Sequence, residues 1–238
     1  MMKKITFFFL FIPLLAVSQT IFNISNLHVS GKDWNSLLKL YDDYYSSVEF
    51  DSGGVVIDRI ILGDGEFNIR IARYGDLNNW GIKTERPDYQ GPAFWRGRND
   101  FVNDYGPSYA GTSLWHSGSS NPSHRVQQRW FLKVDDPQKF MTAFEQFMKD
   151  TKKMMGDRWI AVAAYTANSP KGATHSVGMA AENWVEMEQL RAQILQSKAF
   201  ENFIINRGEV EDVGNIMYRR MRHYNNERNK KKTFDDMW

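Results

Sequence analysis

THSVGMAAENWVEME, residues 174–188, joins a strand of small residues to a capped helix. From His175 to Ala181 the side chains alternate, with His175, Val177, Met179 and Ala181 on one face and Ser176, Gly178 and Ala180 on the other, which is the period of a β-strand. Asn183 stands where a helix N-cap belongs, Glu186 follows three residues on, and Trp184, Met187, Leu190 and Ile194 recur at helical spacing. Residues 67–81, FNIRIARYGDLNNWG, have the same plan, a strand leading to Trp80. If the two stretches are equivalent, the chain consists of two like halves.

The flanking sequence supports that reading. In the second half, residues 126–135 form a strand pattern, and Asp136-Pro137 supplies a capping acid with proline at the first helical position. Phe140, Met141, Phe144, Phe147, Met148 and Met155 then line one helical face. Strands are expected at 157–166 and 175–181 around a turn at 167–172. Ser197 restarts a short helix bearing Phe200, Phe203 and Ile204, and 213–222 closes the half. The order is β-α-β-β-α-β.

The first half begins alike. A strand at 21–29 precedes Ser30-Gly31-Lys32-Asp33, a capping-box spacing, and Trp34, Leu37, Leu38, Tyr41, Tyr44, Tyr45 and Val48 mark a helix. After 51–54, a β-rich run at 55–62, a turn at Gly63-Asp64-Gly65 and a return strand at 66–74 read as a hairpin. Trp80 with Trp184, Asn68 with His175, and Ala93-Phe94 with Ala199-Phe200 fall roughly 104 to 108 positions apart.

A split β-α-β unit taken twice predicts an α+β protein of two ferredoxin-like halves. Each half would carry helices on one face of an antiparallel sheet. The bare faces would pack together as an intrachain barrel, with room for a cavity between the sheets. In RWFLKV, the helix after DDP, the pair WIAVAAY and HSVGMAA, then ENWVEMEQL, SKAFENFI and the last strand, the chain resembles the dimeric α+β barrel superfamily, including antibiotic-biosynthesis monooxygenases and stress-responsive barrels. The resemblance implies a monooxygenase-like activity, with or without haem. Haem enters as a cofactor on that ground alone.

The halves diverge after Trp80. Residues 82–122 are rich in Gly, Pro, Ser and aromatics and read as a long loop, either a ligand lid or a packed surface excursion. The expected boundaries are a leader at 1–18, a first half at 19–122, a second at 123–223, and a basic tail at 224–238. Arg219, Arg220, Arg222, Arg228 and Lys230 to Lys232 make that end cationic. It reads as a solvated tail or a contact for anionic lipid or polysaccharide.

Residues 1–18 have the plan of a secretory signal: Lys3 and Lys4, an apolar run broken by Pro13, and Ala16-Val17-Ser18. The run is too short to span a bilayer, so an exported protein, periplasmic or extracellular, with no stable membrane insertion is expected. Cleavage would take Lys3 and Lys4 from the 30 Lys and Arg, leaving 28 against 28 Asp and Glu. This balance argues against a nucleic-acid partner. The absence of Cys excludes disulfides, thiolate metal sites and a thiol nucleophile.

No metal-ligand spacing, phosphate loop or nucleophile elbow stands out among the motifs. The candidates for chemistry are His175, as a general base or haem-iron ligand, with Tyr165 and Arg70. A lone strand histidine such as His175 is more often simply hydrogen-bonded. His28, Asp58, Arg59, Asn68 and Arg70 interrupt strands that should be apolar on one face, which fits a polar cavity or a solvated sheet face. His28, Arg59, Asn68, Trp95, Tyr105, Trp115, Trp159 and Met179 are therefore the expected ligand contacts. The ligand would be a small apolar or aromatic molecule, between the sheets or under 82–122. A structural role at the cell envelope, with an envelope partner or a second copy, is the competing class.

Overall fold

The structure, a computed structural model, describes residues 19–63, 65–118 and 121–230, with side chains to Arg228. The leader, Asp64 of the expected turn and the end of the basic tail lie outside the described residues. The first half runs β1 (Thr20–Val29), α1 (Trp34–Tyr45), β2 (Phe50–Ser52), β3 (Gly54–Leu62), β4 (Ile69–Asp76), β5 (Gly81–Ile82), α2 (Gln90–Phe101) and β6 (Val102–Ser117). The second runs β7 (Val126–Val134), α3 (Pro137–Asp150), α4 (Lys152–Met155), β8 (Ile160–Ala167), β9 (His175–Ala181), α5 (Trp184–Leu195), α6 (Lys198–Asn206) and β10 (Val210–Asn225), with α7 (Asn226–Lys230) behind it.

Two ferredoxin-like halves form one closed antiparallel barrel. The spatial order is β6-β1-β4-β3 in the first half and β10-β7-β9-β8 in the second. The 16-residue strands β6 and β10 close it. Each pairs early along its length with its own half, β6 with β1 and β10 with β7, and later with the other half, β6 with β8 and β10 with β3. No edge strand of the main sheet is left open.

The helices form where the apolar spacing demands. Asp136 Oδ1 accepts from Lys139 N at 2.9 Å, Asn183 Oδ1 from Glu186 N at 3.0 Å, and Ser197 Oγ from Phe200 N at 3.1 Å, so three helices start on side-chain caps. Phe140, Phe144, Phe147 and Phe203 join Leu132, Val162 and Met179 in one core between α3, α6 and the outer sheet face. Leu37, Tyr41, Tyr45 and Phe94 form its counterpart under α1 and α2. Burying each such side chain contributes about 1.5–3 kcal/mol. The capping box expected at Ser30 is absent: residues 31–33 make a 3-10 turn, and Trp34 Nε1 donates instead to Val29 O at 3.0 Å.

The expected loop at 82–122 is a helix and a long strand. Pro92 falls in the first turn of α2, where its missing N–H costs no helical hydrogen bond. The glycines of β6 are points of close approach rather than turns. A Cβ on Gly111 would sit 2.2 Å from Ala164 O, and one on Gly106 would sit 2.8 Å from the Phe67 ring. The segment is neither lid nor excursion but the fourth strand of its half. The expected tail at 224 also begins too early, since β10 continues to Asn225 and α7 follows.

Candidate functional site inside the barrel

Alternation sends one face of each barrel strand outward to the helices and the other into the barrel. A cavity of about 530 Å³ occupies the lumen, within the range of small-molecule sites. Phe22, Ile24, Val56, Ala72, Ala161, Ala163 and Ala180 give it apolar walls, and these small alanines leave the space open. Tyr109 and Tyr165, whose rings meet edge-on at 5.7 Å, pack with Phe22 and Phe131.

The polar wall comes mainly from β3, β4, β7 and β10. Asp58 on β3, with no solvent exposure, accepts from Arg70 Nη1 at 2.5 Å and from Arg220 Nε at 2.8 Å. Arg70 also lies over the Tyr218 ring, 4.6 Å from its centroid. Arg129 Nη1 donates to Ser176 Oγ at 2.9 Å, its guanidinium stands 5.7 Å from the Trp159 ring centroid, and its Nε is buried without a partner. Burial alone would push the Tyr218 phenol up, but the cations of Arg70 and Arg129 outweigh it and hold the group below the ordinary phenol value. Burial likewise works against charge on Arg70, yet Tyr218 and Asp58 keep it more firmly protonated than a free arginine.

A bulge in β10 between Arg220 and Arg222 shifts the alternation by one residue. Tyr218 and Arg220 before it, and His223 and Asn225 after it, therefore all line the cavity. Tyr224 packs outward against the α1 core, and Arg222 Nε reaches Asp42 at 2.9 Å. His223 Nε2 lies 2.6 Å from Tyr74 Oη, while its Nδ1 is buried without a partner.

His223 makes the barrel acid-sensitive. Burial, then the positive charge of Arg220 and Arg228, holds it well below the ordinary 6.5. The unfolded chain therefore binds the proton first, and stability present above about pH 6.5 is lost as pH falls towards the folded value. Burial also lowers His175, which has the same sign. Unfolding free energy from urea titrations should drop between pH 7 and pH 5 with a slope approaching about 1.4 kcal/mol per pH unit from His223. His223→Gln should flatten this dependence, and an unchanged slope in that variant would place the effect elsewhere.

The structure brings few of the expected site residues together. Arg70 and Trp159 line the cavity, and Tyr165 packs beside Phe22 and Tyr109. His175 faces the helices, its ring 6.2 Å from Phe140 and Nδ1 2.8 Å from Thr174 Oγ1. Met179 and Trp115 lie in or against that same outer core. His28 Nδ1 is 2.6 Å from Glu66 O, and Arg59 stacks on Trp34 at 4.1 Å. Asn68 bridges both backbone groups of Val29, and Trp95 on α2 has the guanidinium groups of Arg73 and Arg98 over its ring. Tyr105 is half exposed and donates to Asn99 Oδ1. Arg129, Tyr218, Arg220 and His223 were missed. The signal for the first was available, since Gln127, Arg129 and Phe131 share one face of the strand and place a charge on it.

Haem ligation fits neither His175 nor His223. His175 is on the opposite sheet face from the cavity, packed under Phe140. In His223, Nε2 is engaged by Tyr74 and Nδ1 is sealed from solvent. Among the described residues no group of three His, Cys, Asp or Glu is placed to hold a metal ion, and no helix is long and apolar enough to cross a membrane.

No family model matches the chain, and no curated protein matches it. Among solved structures it is similar to a proposed monooxygenase from Lactobacillus acidophilus NCFM, with a TM-score of 0.57 and 10% identity over 87% of this chain and 96% of that one. A proposed monooxygenase from Fusobacterium nucleatum aligns with a TM-score of 0.57 at 10% identity over 88% of this chain and 96% of the other. The chain has the ferredoxin-like α+β barrel fold. An anthrone oxidase-like protein shares this barrel at a TM-score of 0.52 and 10% identity, over 87% of this chain and 92% of that one. At such identity the likeness carries the barrel and not its chemistry.

Proposed function

We propose that the barrel binds a small organic anion with an aromatic or apolar body inside its lumen. The observation that carries this is the charge of the lining. Asp58 pairs with Arg70 and Arg220 and Asp42 pairs with Arg222, whereas the buried Arg129 on the lining has a hydroxyl, a phenol and an indole ring as its contacts. A guanidinium in a water-poor, aromatic-walled site favours a planar carboxylate or phenolate. The seven apolar lining residues named above accept the body of the molecule.

Quenching of Trp159 fluorescence by 2-naphthoate tests the reading, with 2-naphthamide as the neutral control. The carboxylate should quench saturably and the amide should bind at least about tenfold more weakly. Equal binding of the two would remove the anion from the proposal. Ala163→Phe, which fills the lumen, should weaken both.

A second reading, chemistry on the bound anion, is supported by Tyr218. A phenol held low by two cations ionises more readily, and its phenolate can take a proton from a weakly acidic C–H or O–H of the ligand, leaving neutral Tyr218 and the electron pair on the ligand beside Arg129. The proposed monooxygenases and the anthrone oxidase-like protein of the same fold make oxygenation the reaction to try. Oxygen uptake with anthrone as probe, lost in Tyr218→Phe, supports it; binding without uptake leaves carriage.

We also infer that the chain is exported, on the sequence of residues 1–18, and that its halves arose by duplication, on their common strand order. A secreted chain with its mature N-terminus at Gln19 supports the first, and a chain that keeps Met1 and stays in the cytoplasm contradicts it.

A further inference from the structure

We propose that Gln127 selects among ligands of the lumen, favouring an anion whose aromatic or apolar body also carries a neutral group that donates and accepts hydrogen bonds, such as a hydroxyl. This rests on the anion reading above and adds a specificity-determining residue to it. Gln127 lies on β7 two residues before Arg129, so the two side chains share the inward face, roughly 6.6 Å apart along the strand. Its partners in register are Tyr218 on β10 and Ala180 on β9, and both also line the cavity. Ala180 adds little bulk on that side.

The fold leaves the amide of Gln127 unused. The residue is 4% exposed and lines the cavity, and its side chain makes no hydrogen bond among the described residues. Polar groups around it are engaged: Asp58 accepts from Arg70 and Arg220, Ser176 accepts from Arg129, and Tyr74 meets His223. A glutamine amide supplies N–H donors and a carbonyl acceptor, and burying it without partners is costly. Solvent entering the lumen can satisfy it, whereas a wholly apolar ligand body that displaces solvent strands the amide and binds more weakly. A hydroxyl at that point accepts from Nε2 or donates to Oε1, so it restores what the solvent supplied. Arg129 then fixes the anionic end and Gln127 the neutral polar end. The chemical class indicated is an aromatic acid with a neutral hydroxyl across the ring system from its carboxylate.

Calorimetric titration of the full chain at pH 7 with 2-naphthoate, 6-hydroxy-2-naphthoate and 6-methoxy-2-naphthoate tests this. The hydroxy acid should bind about tenfold or more tightly than either of the others. In Gln127→Met, which keeps the length of the side chain and removes its amide, the three affinities should fall within about twofold of one another. That variant should fold, because it deletes a buried polar group that has no partner in the protein; should it not, Gln127→Leu gives the same comparison. Equal binding of 2-naphthoate and its hydroxy derivative in the parent chain, or a hydroxyl preference that survives the loss of the amide, overturns the role of Gln127 and leaves the anion reading standing. Binding of none of the three overturns both.

Discussion

Replacing Asp58 by alanine is expected to cost the barrel about 3–5 kcal/mol, because it removes the counter-ion of two guanidinium groups inside the lumen. The carboxylate has no exposed surface, and each oxygen accepts from a different arginine: Oδ2 from Arg70 and Oδ1 from Arg220. Arg70 is itself buried, so its charge cannot return to water when the acid is removed. Asp58→Asn should lose somewhat less, since the amide oxygen can still accept one hydrogen bond but no longer carries charge. The double variant Asp58→Asn, Arg70→Met should recover part of that loss, because it deletes the stranded cation. Urea denaturation of the single and double variants at pH 7 measures each arm of the cycle. A cost below about 1 kcal/mol for Asp58→Ala, or additivity in the double variant, would show that the three groups do not act as one unit.

This triad crosses the seam between the halves, since Asp58 and Arg70 come from the first and Arg220 from the second. It therefore couples the two sheets more directly than the outer cores, each of which lies mainly beneath the helices of one half. The apolar cores supply most of the burial, and the triad adds a polar link between the sheets that is sensitive to their register.

The elements of the fold were legible where local chemistry decides them. β9 spans His175–Ala181 as its alternation predicts, and α5 begins behind Asn183 because that cap is written in the adjacent residues. The segment after Trp80 was misread because glycine and proline signal turns only when the chain turns there. Pro92 instead sits harmlessly in a helix start, and Gly106 and Gly111 are required by neighbouring groups distant in sequence. The site was harder to read than the fold. In a barrel covered by helices both sheet faces are buried, so alternation separates His175 from Ser176 without saying which looks inward. The bulge at Arg220/Arg222, which brings His223 into the lumen, depends on pairing with β3 and leaves no mark in the sequence of β10.

Arg129→Met should have the opposite balance: ligand affinity falls about 30-fold or more, while stability is unchanged or rises by about 1 kcal/mol. Arg129 is as buried as Arg70, but its partners are a hydroxyl, a phenol and an indole ring, and Nε has none. No Asp or Glu is among those contacts, so the folded chain holds this charge at a desolvation cost that no neighbouring carboxylate offsets. Methionine keeps an unbranched side chain against Trp159 and removes that cost, which offsets the lost hydrogen bonds to Ser176 and Tyr218 and the lost cation–ring contact. The ligand would then lose the cation with the least internal competition for its negative charge. Binding of 2-naphthoate and urea denaturation, measured on the same preparation, separate the two effects. A destabilisation above about 2 kcal/mol with affinity intact would make Arg129 a structural residue like Asp58, whereas lost binding in a fully stable barrel identifies a cation kept for its ligand.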